Sequence, residues 1–423
     1  MTEDYLHYIW KYKLFSQQNL VTTEGEPLEI LSFGFHNHDS GPDFSQAKIK
    51  IEETLWAGNI EIHIRASHWN QHNHQFDTAY DSVVLHVVWE CDTEITTTKG
   101  GKIPTLELKN RIDLSQFEDY QRFIFSSIPC INSLQSVPNI IVASAMDQML
   151  SERLLEKSEV IKQELENGQS NWEQVFFQFV AKAMGMKVNS LAMEQLAKQI
   201  DVKFFSKFGD NLKATESYLF GQAGFLEDLP FDHEYGNQIK KEYSFLKAKY
   251  ELIPMNKVMW KFSKLRPSNF PTLRLAQLAR LVNENKNLFH SLILEKNTIQ
   301  EMRKKLTVSI HSGFWHTHYT FEKESKSKSK SIGESLIDSI VINTIAPFLY
   351  CYGTYKDEQE YKERAIELMK GVAAENNKIT RLFEGELTIK SAAESQALIQ
   401  CHNNYCVNKK CLDCSIGVYL LKK

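Results

Sequence analysis

The sequence predicts an α+β protein: a small unit of helix and mixed sheet over residues 1–137, then a large all-helical part over residues 138–423. Three observations carry this. Between residues 28 and 110, apolar residues alternate in short runs, the period of a strand with one buried face. Beyond Asn139 they recur at helical spacing almost throughout. Segment 110–138 holds Pro129 and Pro138 and reads as the connection.

The elements follow in order. Residues 3–16 read as a short helix. Strand runs LEILSFGF, AKIKI, NIEIHI, SVVLHVVWE and IPTLELK come next. Ala47–Ile51 and Asn59–Ile64 are close enough to form a hairpin, turning at Glu52-Glu53-Thr54. Alternation puts Glu61 and His63 on one face of the second strand, with Ile60, Ile62 and Ile64 on the other. Helical periodicity then runs through 140–167, 171–183, 191–201, 236–252, 271–285, 286–306, 333–351, 358–374 and 390–402. Leu219–Phe225, LFGQAGF, reads as close helix packing or a tight turn. Gly313–His318 reads as packed aromatics, with base stacking as the other option. Lys323–Ser331 is basic and serine-rich, and reads as a mobile solvated loop.

Composition narrows the function. A chain of 423 residues allows two or three domains. Its net charge of −4 excludes binding of nucleic acid by bulk charge, so a polyanion must be met by a local basic groove or a metal. No run of eighteen apolar residues exists, so no membrane span is expected. MTEDYLHYIW lacks the basic start and apolar core of a signal peptide. Of seven cysteines, three are scattered and four crowd the end, which is no secreted disulfide framework. A cytoplasmic location is the expectation.

The chemistry concentrates early. Seven of the fourteen histidines fall between His36 and His86: His36, His38, His63, His68, His72, His74 and His86. Histidine carries protons near neutral pH and ligates metals. Asp43 before one strand of the hairpin and Glu61 on the next can hold one hard cation, Mg²⁺ or Mn²⁺. His63 shares a face with Glu61. His86, inside VVLHVVW, reads as a hydrogen-bonded core residue; His36 and His38 read as surface residues. Arg266 and Arg274 flank a helix start where a phosphate could bind; the competing reading is a buried arginine tying a loop to a helix carboxylate. Lys326 and Lys328 could follow a nucleic-acid backbone. At the end, Cys401-x4-Cys406-x4-Cys411-x2-Cys414 offers four thiols to zinc or an iron–sulfur cluster; the alternative is free thiols, with Cys401 a helix residue outside the site. Lys409 and Lys410 beside them favour thiolates or could contact phosphate.

Pro42-Asp43 followed by Glu61-x-His63 resembles the PD-(D/E)XK nuclease core, with histidine at the lysine position. The resemblance implies a restriction-endonuclease-like fold and metal-dependent phosphodiester hydrolysis. Asp43 and Glu61 would bind metal, His63 would orient water, and Glu3 on the first helix would assist. His63-x4-His68-Trp69-x2-His72-x-His74 is similar to very-short-patch-repair endonucleases, which implies catalytic roles for His68, His72 and His74. The whole chain also resembles an uncharacterised bacterial family of unknown function, through GPDF, GNIEIH, YDSVVLHVVW, RPSNFPTLRLAQLA and INTIAPFLYCYG. The expected partner is nucleic acid, DNA first, in repair or processing. Two alternatives stay open: a nucleic-acid-binding protein that has lost the chemistry, and a scaffold in which Glu61 and His63 form a buried pair.

Overall fold

The computed structural model describes residues 1–37, 40–124, 127–167, 171–227, 229 and 234–422. The chain is α+β, with a curled mixed sheet near the N-terminus and a large helical region. It divides into two compact units: unit 1 is Met1–Ala145 with His402–Lys423, and unit 2 is Met146–Cys401. The helical part expected to run to residue 423 therefore ends earlier. Residues 402–423 join unit 1 because Leu412 and Val418 enter its apolar core.

Unit 1 starts with helix α1 (Glu3–Tyr12). Thr2 caps it by accepting from the Tyr5 amide, and Glu3 and Asp4 sit in its first turn. Strands β1 (Leu28–Ser32), β2 (Phe35–His36), β3 (Phe44–Ile51), β4 (Thr54–Arg65), β5 (Val83–Glu90) and β6 (Thr105–Glu107) follow. The sheet order is β1-β3-β4-β5-β6, with β2 also on β3. β3 pairs antiparallel with β1, β2 and β4; β4–β5 and β5–β6 are parallel. The expected hairpin forms, with Ile51 opposite Thr54.

Alternation along β4 and β5 assigns the two faces. Ile60, Ile62, Leu85 and Val87 join Tyr5, Leu6, Ile9 and Trp10 of α1 in the main core. Glu61, His63, His86 and Val88 take the other face. Beneath it a short helix α2 (His68–Gln71) delivers Trp69, which packs with Ala66, Val83, Val88, Ile95 and Ile103. Segment 110–138, read as a connection, contains helix α3 (Leu114–Ile124).

Two local features shape the end of the hairpin. The β3–β4 register shifts between Phe44 and Ala47, a bulge in which Gln46 takes φ 59°. Gly58 lets β5 approach, since a Cβ there would lie 2.4 Å from the Ser82 carbonyl oxygen. The ladder stops at Phe44, opposite Ile60. Pro42, two residues earlier, has no amide hydrogen to continue it.

Unit 2, from Met146 onward, is mostly helical. Among the described residues one stretch, Glu334–Lys356, is long and apolar enough to cross a membrane, where no membrane span was expected; 72% of its most apolar window is buried. It carries a π-turn over Val341–Ile345. The periodic segment 286–306 breaks into a π-turn, His290–Leu294, and a helix, Ile299–Leu306. Gly221 packs against a neighbouring helix: a Cβ there would overlap the Tyr243 ring.

Candidate functional site

Where the β3 ladder ends, side chains take over its hydrogen bonds. The Ile62 amide donates to Asp43 Oδ2 at 2.8 Å, and the Asp43 amide donates to Glu61 Oε2 at 3.2 Å. The two carboxylates are thereby locked to one corner of the sheet from adjacent strands. From α1, His7 brings Nε2 to 3.2 Å from Asp43 Oδ2. Glu3 lies one turn earlier on the same helix face. Burial raises the Glu3 carboxyl above its ordinary value, and His7, Asp43 and His72 act on it as charged neighbours. The helix, both strands and the loop after β4 thus meet at one point.

On the far side of Glu61 stands a stack of imidazoles. His74 Nε2 lies 3.3 Å and His63 Nε2 3.6 Å from Glu61 Oε1. His63 pairs through Nδ1 with His86 Nε2 at 2.8 Å, and through Nε2 with His72 Nδ1 at 3.1 Å. His68 completes the group, its ring centre 6.1 Å from that of His63. Tyr80 stacks on His74, with ring centres 3.8 Å apart. His63, His72 and His74 each offer a ring nitrogen within 4.8 Å of the others, a set that could hold a metal ion.

Burial sets the protonation states. Glu61 is 5% exposed, and desolvation together with the Asp43 charge pushes its carboxyl up to about 9. Desolvation and the surrounding imidazoles push His63 down to about 2. Burial likewise lowers His86, to about 3, and His74. His7 goes the other way: burial opposes its charge, but the Asp43 hydrogen bond and charge outweigh that and raise it. The neutral imidazole is the form of histidine that can ligate a metal ion.

A cavity of about 400 Å³ opens beside Asp43. Its lining includes His7, His36 and Asp43, and three lysines, Lys11, Lys409 and Lys410. His36 is no simple surface residue: it stacks on Phe44 and faces His7. His38 lies outside the described residues. His7 escaped the sequence reading, although its spacing of four from Glu3 was a signal. His86 fits its reading as a hydrogen-bonded core residue, but its partner is a site histidine. Tyr80 gave no signal.

The remaining expected residues lie elsewhere. In unit 2, Arg274 is buried, donating to Gln277 Oε1 at 2.9 Å and Asn269 Oδ1 at 2.8 Å, and burial lowers it to about 10. It ties loop to helix, as the competing reading had it, but through amides rather than a carboxylate. Arg266 is exposed, as are Lys326 and Lys328. The basic run is not solvated throughout. Lys330 is buried, donates to the carbonyls of Trp315, His316 and His318, and lies in a two-residue strand paired with Ser309–Ile310. Trp315 is buried and stacks on Phe220. Cys401, Cys406, Cys411 and Cys414 are all buried; Cys401 is the last residue of unit 2, the others belong to unit 1.

Fold and site define an α+β protein with a buried carboxylate–histidine group at the end of a hairpin, beside a lysine-rimmed cavity. The chain belongs to the family described as "Protein of unknown function (DUF2851)", which it matches over residues 3–378. No curated protein and no solved structure matches it.

Proposed function

We propose that unit 1 is a divalent-metal-dependent hydrolase of phosphodiesters in nucleic acid, built on a restriction-endonuclease-like core. The observation that carries this is the meeting of Asp43, Glu61 and Glu3 with His63, His72 and His74 around one corner of the sheet. The order helix, antiparallel hairpin, parallel strands agrees with the fold that Pro42-Asp43 and Glu61 imply. The lysine rim supports a polyanionic substrate at a site otherwise rich in carboxylates.

In this reading Asp43 and Glu61 would hold Mg²⁺ or Mn²⁺, which would supply Lewis-acid activation of water and phosphate. Glu3 adds to the negative field. His63 serves as a buried neutral ligand or positioning residue, because an imidazole held near pKa 2 is a poor base at neutral pH. His72 is the exposed member of the group and takes the proton-transfer role, with His68 and His74 beside it. His7, whose protonated form Asp43 favours, is placed to donate to the leaving oxygen.

The test is incubation of the whole protein with labelled DNA and RNA, single- and double-stranded, with Mn²⁺ or EDTA, beside Glu61→Ala. Cleavage that needs Mn²⁺ and vanishes in the variant supports the reading. A second reading draws on the near-complete burial of Glu61 and His63: a structural Glu–His pair in a scaffold. It predicts no cleavage, no Mn²⁺ binding by calorimetry, and a lower melting temperature on changing either residue.

A further inference from the structure

We infer that His63, His72 and His74 hold a late first-row divalent metal ion, zinc above all, at a centre separate from the hard-cation place between Asp43 and Glu61. One ring nitrogen from each lies within 4.8 Å of the other two. The donor type selects the metal: imidazole suits zinc and its neighbours in the first row, whereas magnesium takes oxygen.

The chain builds the trio from one strand and one turn. His63 stands on β4, opposite Val88 of β5. His72 closes α2, and His74 follows two residues on, with Asn73 between them in the left-handed region at φ 64°. That turn carries both imidazoles to the His63 ring, whose centre lies 4.9 Å from that of His72 and 5.4 Å from that of His74. Tyr80 and Trp69 fix the His74 ring, with centres 3.8 and 5.3 Å away. His63 is held through its far nitrogen: Nδ1 lies 2.8 Å from His86 Nε2, inside the core. A hydrogen bond at that nitrogen is what orients a metal-bound imidazole and fixes its tautomer.

Spacing and an unpartnered nitrogen separate this group from three merely packed rings. His63 Nε2 and His72 Nδ1 are 3.1 Å apart. Two nitrogens on a tetrahedral zinc ion, each at about 2.0–2.1 Å, stand about 3.3–3.4 Å from one another. His74 Nε2 is buried and makes no hydrogen bond, although Glu61 Oε1 lies 3.3 Å away. A buried polar atom without a hydrogen bond is costly, and an ion is one of the partners that accounts for it. Glu61 divides the two centres: Oε2 accepts from the Asp43 amide at 3.2 Å, while Oε1 faces His74 and His63 at 3.3 and 3.6 Å. Three protein ligands leave a fourth coordination place for water or substrate, the pattern of catalytic rather than structural zinc. Where the hydrolase reading also holds, ligation takes His72 out of proton transfer and leaves that role to His68.

The centre itself does not depend on the hydrolase reading. The test is titration of the full chain, stripped with a chelator, with Zn²⁺ against a coloured zinc indicator, together with X-ray absorption at the zinc edge. The wild-type spectrum should show a nitrogen shell at about 2.0–2.1 Å with the scattering of imidazole rings, a readout that needs no variant to fold. Zn²⁺ should bind at least about tenfold more weakly in His72→Ala and in His74→Ala, and unchanged in His68→Ala, the neighbouring imidazole outside the trio. The inference fails if the wild-type chain binds no Zn²⁺, if its zinc shows only sulfur at about 2.3 Å, or if His68→Ala loses zinc while His74→Ala keeps it. Zinc held on imidazoles by a chain that cleaves nothing would sink the hydrolase reading and leave this centre standing; Mn²⁺-dependent cleavage by a chain that binds no zinc would do the reverse.

Discussion

Each unit buries a glutamate, and the two are buried for different ends. Glu216 in unit 2 is 8% exposed on the helix Leu212–Gln222. It accepts from the Tyr235 hydroxyl at 3.0 Å, which itself accepts from Trp315 Nε1 at 2.8 Å. Desolvation pushes it up to about 7, held back by that hydrogen bond and by Arg280 and Lys213. Glu61 in unit 1 is pushed further, to about 9, by desolvation and then by the charge of Asp43. Glu216 sits in a network of satisfied hydrogen bonds. Glu61 sits among groups of kinds that can ligate cations. A buried carboxyl alone says little; what its neighbours could jointly hold separates a structural one from a functional one.

The largest effect should come from removing the partner that makes Glu61 unlike Glu216. Asp43→Ala should lower Mn²⁺-dependent cleavage by more than about a hundredfold, the upper range for losing a group that tunes a metal site. Circular dichroism should remain that of the wild type. Full metal-dependent activity in Asp43→Ala would erase the distinction drawn here.

The next effect belongs to Glu216. Its folded pKa, about 7, is raised above the unfolded value of 4.5. Its contribution to stability is therefore fully present below pH 4.5 and is lost as pH rises through 7. A shift of this size amounts to about 3 kcal/mol. Glu216→Gln keeps an acceptor for Tyr235 and carries no charge, so the difference in melting temperature between variant and wild type should grow from pH 5 to pH 8. A difference independent of pH would mean that Glu216 is ionised in the folded state at all these values.

How much of this contrast was legible in the sequence can be judged at particular residues. Alternation in Asn59–Ile64 was enough to place Glu61 and His63 on one face, because a strand has only two. Proximity of Asp43 followed from the short hairpin. For His7 the spacing of four from Glu3 was the one signal, and Tyr80 was beyond reach, since each meets the site through tertiary packing, of α1 and of the loop before β5. Glu216 was invisible for a related reason: the moment of its helix is weak because nearly every residue from Ala214 to Gln222 is buried, so periodicity has no polar face to mark. Residues 402–423 joined unit 1 against the composition boundary, because Leu412 and Val418 select their core by contact and not by neighbourhood in sequence.

A third effect tests the packing around Glu216. Gly221→Ala on the same helix should destabilise the protein by about 1–3 kcal/mol, since the added methyl meets the Tyr243 ring. Denaturant titration would measure it, and a neutral result would mean that the two helices separate easily. The smallest effect concerns the cavity beside Asp43. Lys409→Ala with Lys410→Ala should leave metal binding at Glu61 intact. It should make the dependence of nucleic-acid affinity on salt shallower by about one to two in slope. An unchanged slope would remove these lysines from the substrate's path.

Unit 1 is discontinuous in the chain, and this orders events during synthesis. Its core needs Leu412 and Val418 as well as Tyr5 and Trp10. At ribosomal speeds, unit 2 takes roughly ten to fifty seconds to translate. Throughout that time the early strands are made but cannot close over their missing residues, so the second unit to be translated is the first able to fold. Lys409 and Lys410 reach the Asp43 cavity only after that wait, and a nascent chain cannot complete its cavity before unit 2 has been made.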